Sequence, residues 1–171
     1  FNISRARKPA FEKSEIIVVE GYMDVVASYQ EGFTNLVAAL GTALTENHLK
    51  QLWKFSPDPI LCFDGDKAGH QAASRALDRA MPLLASGYSL KFTFLPDQKD
   101  PADLMLEGRQ QDFAQFLKES LNSFECFWRR ETETADIASP EKKAGLEAKI
   151  NAAIRTIQDE NVRKYYSMGT R

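Results

Sequence analysis

The chain has 171 residues, 43% of them hydrophobic, enough for one substantial core with a small appended unit. A net charge of -2 supplies no overall basic field, so strong nucleic-acid binding by this chain alone is not indicated and any grip on a polymer must be local or borrowed. No apolar run approaches the ~20 residues of a membrane-spanning helix, no signal-peptide pattern opens the chain, and Cys62 and Cys126 sit in apolar surroundings as small buried hydrophobes, which fits a reducing cytoplasm.

Residues 1–14 are basic, with Arg5, Arg7, Lys8 and Lys13 near Pro9, and lack a clear period, so they read as a lead-in segment. Because the chain starts at Phe1, it is expected to be a piece of a longer protein. Strand and helix patterns then alternate. Strands are predicted over 16–19, 35–39, 59–63 and 90–95, and helices over 23–30, 45–53 and 67–84. The first strand is continuously apolar, as expected where helices cover both faces of a parallel sheet. The long helix carries Ala73, Ala76, Leu77, Ala80, Met81 and Leu84 at the spacing of one buried stripe. Turn signals at Glu31-Gly32 and Ser86-Gly87 close helices, and Thr45 can cap one. From Asp103 onward the patterns are helical, with no further strand predicted, and Ser139-Pro140 opens a helix running into 142–158. The fold expected is α/β: a parallel sheet of about four strands flanked by helices, followed by a small all-helical subdomain. Residues 15–118 form the α/β domain and residues 119–171 the helical unit.

Two of the strands deliver carboxylates to their carboxyl ends. The first runs into Glu20-Gly21 and the third into Asp64-Gly65-Asp66. In an open parallel sheet, ligands bind outside those ends, where the strand order reverses. Right-handed crossovers can bring Glu20 beside the Asp64/Asp66 pair. Three carboxylates so close repel one another, and a bound cation is the natural remedy. All-oxygen ligands suit Mg²⁺, which keeps part of its shell for water and substrate phosphates, so the pattern favours phosphoryl chemistry. Gly21 and Gly65 would allow phosphate oxygens near the backbone, and the helix start at Lys67 adds dipole and charge. A third acidic site, Asp97 to Asp103, follows the fourth strand. Asp100 is its best candidate for a second cation, and Asp24 lies one helical turn from Glu20.

Other features have blander readings. His48 and His70 are read as surface or helix residues. Phe113, Phe116, Phe124, Phe127 and Trp128 are read as helix-packing core, and Arg129-Arg130 as a solvated face.

A strand ending in Glu-Gly with a later strand ending in Asp-x-Asp resembles the TOPRIM domain of primases, topoisomerases and some nucleases. Val19-Glu20-Gly21-Tyr22-Met23-Asp24-Val25-Val26, Ala39-Leu40-Gly41-Thr42-Ala43-Leu44-Thr45 and Phe63-Asp64-Gly65-Asp66-Lys67-Ala68-Gly69 closely resemble bacterial DNA primase of the DnaG type. Leu95-Pro96-Asp97 through Asp100-Pro101 extends the likeness, which covers most of residues 1–106 and, more loosely, the helical tail.

The resemblance implies metal-dependent nucleotidyl transfer. A growing 3′-hydroxyl attacks the α-phosphate of a ribonucleoside triphosphate to extend an RNA primer templated by single-stranded DNA, and pyrophosphate leaves. It implies an acid/base or metal-associated role for Glu20 and cation binding by Asp64 and Asp66, with Asp100 contributing, Asp24 close by, and Mg²⁺ replaceable by Mn²⁺. Where the family reads Asp-Pro-Asp, this chain has Asp100-Pro101-Ala102, and Asp103 is the candidate to compensate. Zinc is expected only in a preceding domain and the replicative helicase as a partner only of a following one, in a protein of the bacterial cytoplasm. The chain alone is therefore expected to bind metal but make primers poorly. Two rivals remain, a TOPRIM nuclease using the same acids and a non-catalytic interaction module.

Overall fold

The computed structural model describes residues 1–39 and 43–170, so Leu40-Gly41-Thr42, part of the primase-like wording, lies outside the described residues. Helix α1 (Ile3–Lys13) leads into β1 (Ile17–Val19), α2 (Tyr22–Gln30), β2 (Leu36–Ala38), α3 (Glu46–Leu52) and β3 (Ile60–Phe63). Then come α4 (Lys67–Ala80), a 3-10 turn at Met81–Leu83 and β4 (Lys91–Phe94). Helices α5 (Pro101–Leu106) and α6 (Gln110–Lys118) precede a short β5 (Leu121–Asn122), and α7 (Ser123–Thr132), α8 (Pro140–Ile154) and α9 (Glu160–Gly169) complete the described chain.

The strands form one sheet in the order β2-β1-β3-β4-β5. The first four are parallel, with Ile17 opposite Leu36 on one side of β1 and opposite Ile60 on the other. The chain thus turns to one side of β1 for β2 and to the other for β3, so the strand order reverses between β1 and β3. That reversal opens a crevice where Glu20 and Asp64 emerge.

Both faces of the sheet are covered, which explains why β1 and β3 read as unbroken apolar runs. Alternate residues point to opposite faces. Val18, Leu61, Phe63 and Phe92 meet α1, α3, α4 and the tail helices through Ala10, Leu49, Ala76, Phe127 and Ile154. Ile17, Val19, Ile60 and Cys62 meet α2, α5 and α6 through Val25, Leu104 and Phe113. The caps predicted at Thr45, Ser139 and Pro140 are in place, and Gly32 has φ 93°, a conformation in which a Cβ would be strained.

Several expectations are corrected. Residues 1–14, read as a basic lead-in without a clear period, contain a helix: α1 buries Ala6 and Ala10, a small-residue stripe too narrow to stand out among the basic residues. The sheet has five strands, not four, because Leu121–Asn122 pairs antiparallel with β4. Two residues are too few to show alternation. The 67–84 helix ends at Ala80, where Pro82 follows in the 3-10 turn, and the helical pattern over 142–158 ends at Ile154 before α9. Arg130 is no solvated residue. It donates to Asp78 at 2.6 Å and to the Ser74 carbonyl at 3.3 Å, and it pairs with the buried Glu131 at 2.8 Å, fastening α7 to α4.

Phe127, fully buried on α7, shares one apolar cluster with the sheet residues Leu61 and Phe92. Phe127→Ala is expected to cost about 3–5 kcal/mol, read as a lowered urea midpoint with an unchanged slope.

Candidate functional site at the strand-order switch

Pairing of β1 with β3 sets their carboxyl ends level, and the first consequence is a side chain to backbone bond across them: Glu20 Oε1 accepts the Asp64 N–H at 3.1 Å. The expectation that Glu20 and Asp64 are neighbours, although 44 positions apart, is met. Glu20 is thereby aimed across the crevice rather than left to solvent.

Asp64 is electrostatically strained by its surroundings. Its Oδ1 is buried without a hydrogen-bond partner. Burial, followed by repulsion from Glu20, Asp24, Asp100 and Asp66, pushes its carboxyl up to about 7. Asp66 caps α4, its Oδ1 accepting the Gly69 N–H at 2.7 Å, and Lys67 is exposed at the first residue of that helix. Asp100 caps α5 in the same way through the Asp103 N–H at 2.7 Å, and Asp103 Oδ2 answers from the Asp100 N–H at 3.2 Å. These four acids, Glu20, Asp64, Asp66 and Asp100, sit at the ends of β1, β3 and the loop after β4, as the sequence pattern suggests.

Asp24 and Asp103 are placed differently from the simplest reading. Asp24 is buried, with Oδ2 on the Gly21 N–H at 2.9 Å and Oδ1 on the Ala102 N–H at 3.3 Å. Burial raises its carboxyl while the Gly21 N–H lowers it, and repulsion from Asp100 raises it again. Asp24 is therefore a clasp between α2 and α5, and Ala102 takes part through its backbone even though it lacks a carboxylate. Asp103 has one oxygen engaged in the reciprocal cap of α5, which is where its signal of an acid three residues after Asp100 came from.

Gly65 serves a purpose other than phosphate access. A Cβ there would stand 2.1 Å from the Leu95 carbonyl oxygen, and a Cβ at Gly69 would stand 2.1 Å from that of Asp64. The Gly65 N–H also donates to Lys99 O at 3.1 Å. The two glycines let β4 and α4 press against the end of β3. The spacing Asp-Gly-Asp-Lys-Ala-Gly holds the Gly69 signal, which is legible only once the packing is known.

The donor set fits a hard divalent cation: every candidate ligand is a carboxylate oxygen, one of them is buried and unpartnered, and their mutual repulsion needs positive charge. Among the described residues no three of these side chains already surround a common cation position. The capping bonds explain why, since Asp66 and Asp100 are each turned toward a backbone N–H.

An acid held near 7 in the fold but near its usual 3.8 when unfolded keeps its proton longer in the folded state. Asp64 therefore costs nothing at low pH, and the cost grows from about pH 4 and is complete above 7. In metal-free buffer Asp64→Asn is expected to raise the melting temperature at pH 8 by about 2–4 °C, the effect of ~1 kcal/mol in a chain of this size, much of the burial penalty being relieved by solvent at the crevice mouth. The gain should vanish at pH 4, and melts of both proteins at the two pH values check it.

Comparison with known proteins places this geometry. Residues 14–94 match the Toprim domain family. A DNA primase of Rickettsia typhi is 36% identical over 162 residues, 95% of this chain and 27% of that protein. The crystal structure of a DNA primase domain from Pseudomonas aeruginosa, 37% identical, matches 97% of this chain and 52% of that one with a TM-score of 0.89. A DnaG primase catalytic domain bound to single-stranded DNA matches with the same TM-score of 0.89 at 32% identity, over 100% of this chain and 56% of that one. The chain spans about a quarter of the length of the curated relatives it matches. A five-stranded sheet with its acids at the β1/β3 switch, joined to these likenesses, shows that the chain belongs to the Toprim-containing DnaG family of DNA primases.

Proposed function

We propose that this chain is the metal-binding part of a primase catalytic core that extends RNA primers on single-stranded DNA by nucleotidyl transfer. The observation that carries the reading is the buried, unpartnered Asp64 Oδ1 at the switch point, crowded by Glu20, Asp24, Asp100 and Asp66, in a chain homologous to DNA primases. Asp64 and Asp66, with Glu20 and Asp100, would hold divalent cations, Mg²⁺ or Mn²⁺ in its place. When bound, these neutralise the triphosphate and the leaving pyrophosphate.

The chain's own residues do the rest. Asp64, whose carboxyl is pushed up to about 7 by burial and crowding, holds its proton more tightly than an ordinary carboxyl and would release it to the cation that takes its place. Glu20, oriented by the Asp64 N–H, takes up the proton of the attacking 3′-hydroxyl, directly or through water. The 3′-oxygen forms its bond to the α-phosphorus of the incoming ribonucleotide, and the bond from that phosphorus to the bridging oxygen breaks, releasing pyrophosphate. Lys67, exposed at the start of α4, would add positive charge for the substrate's phosphates. Template grip rests largely on parts of the protein outside this chain, whose net charge is -2. A helicase contact and a zinc site, where the protein has them, belong to those parts as well.

Glu20→Gln and Asp66→Asn in the full-length protein are each expected to lower primer synthesis at least 100-fold with folding, followed by circular dichroism, unchanged. Near-normal synthesis by either variant refutes the role given to that residue. The chain alone should bind Mn²⁺ in calorimetry yet yield few primers, and efficient metal-dependent cutting of DNA or RNA by it would instead indicate a nuclease.

A further inference from the structure

One feature of the sheet is unused by the acid chemistry. Four rings follow one another from the core to the surface. Fully buried Phe92 lies 6.2 Å from Phe63 at an interplanar angle of 14°, and Phe63 lies 6.0 Å from Phe94 at 27°. Phe94 in turn lies 4.7 Å from the imidazole of His70, stacked on it with the ring planes nearly parallel at 6°. The ladder rises along the carboxyl ends of β3 and β4 and ends on an exposed residue.

Its last ring is held at the rim of the acidic crevice. The His70 backbone N–H donates to the Asp66 carbonyl at 3.1 Å, one helical turn from the carboxylate that caps α4. The close approaches at Gly69 and Gly65 lock that turn against Asp64 and against Leu95, the residue after Phe94. The backbone that carries His70 is therefore fixed relative to the candidate cation site. One face of the imidazole ring is covered by Phe94, while the residue remains exposed to solvent beside the place where a nucleotide's phosphates would bind.

Deepening the reading above, on which it rests, we infer that His70, backed by Phe94, is a stacking platform for a nucleobase at the crevice. A base laid on the imidazole would become the fifth ring of the ladder, and stacking of this kind tolerates any base because every base has a π-face. Two sources supply a nucleobase here, the incoming ribonucleotide and the single-stranded template, and the same variants separate them.

The test uses the full-length protein carrying His70→Ala, His70→Phe or His70→Lys, all at an exposed helix position. Two measurements are made: KM and kcat for ribonucleotides at saturating template, and anisotropy of a fluorescein-labelled oligodeoxythymidylate at fixed salt. His70→Ala should raise KM for nucleotide, or weaken oligonucleotide binding, about tenfold with kcat largely kept, and His70→Phe should restore most of the loss. A change in the first names the nucleotide as the stacked partner, and a change in the second names the template. Wild-type values for His70→Ala in both overturn the inference. Recovery in His70→Lys instead of His70→Phe, or in neither, overturns it too, since charge or the imidazole's own shape would then be what matters. If the unaltered protein makes no primers, it is the proposed function that fails, and the oligonucleotide arm still judges the platform.

Discussion

Much of this molecule's organisation follows from one hydrogen bond, the Asp64 N–H donated to the Glu20 carboxylate across the ends of β1 and β3. It joins the two strands at the point where the sheet changes direction, and it aims one acid while leaving the next, Asp64, with a buried oxygen and no partner. Like charges gathered in one crevice oppose folding. The fold tolerates them because each neighbour is tied to backbone: Glu20 to β3, Asp66 to α4, Asp100 to α5 and Asp24 to the Gly21 and Ala102 N–H groups. Helix-cap bonds and positive helix ends partly neutralise charges that would otherwise need solvent.

That arrangement leaves a definite division of labour. Asp24 is fully occupied in joining α2 to α5, so its contribution is to hold the Glu20-Gly21 turn against the loop that carries Asp100. Asp64 is the group left unsatisfied, and its raised proton affinity reflects burial first and crowding second. Ala102, which has no carboxylate, supplies the site with a backbone N–H, donated to Asp24 at 3.3 Å. The thiol of Cys62, just behind the crevice, is pushed upward by burial and by Asp64, which keeps it a packing group rather than a nucleophile.

The helical tail is joined to the same core. Phe127, Ile150 and Ile154 share the apolar layer that holds Leu61 and Phe92, and Arg130 bonds α4 at mid-length. Motion of α4, which carries Asp66 and His70 at its start, is thereby restrained from its far end. Precise placement of the acids thus draws on residues far from them in sequence.

Local order could be read along the chain because it rests on short-range physics. Apolar runs marked β1 to β4, three-and-four spacing marked α4, and Thr45 and Ser139 announced their helices. Elements that depend on distant partners were not legible. α1 is held by an alanine stripe against the sheet, β5 by two residues of pairing with β4, and Arg130 by side chains 52 and 56 positions away. The acids themselves were evident from Glu20-Gly21 and Asp64-Gly65-Asp66, since a strand end followed by glycine and a helix puts a carboxylate at the sheet's rim whatever else surrounds it. Which of them is buried, which is spent on a clasp, and why Gly65 and Gly69 must lack a side chain are matters of approach between segments. Those approaches, at ångström scale, are set by the packing of both sheet faces, and tertiary structure alone decides them.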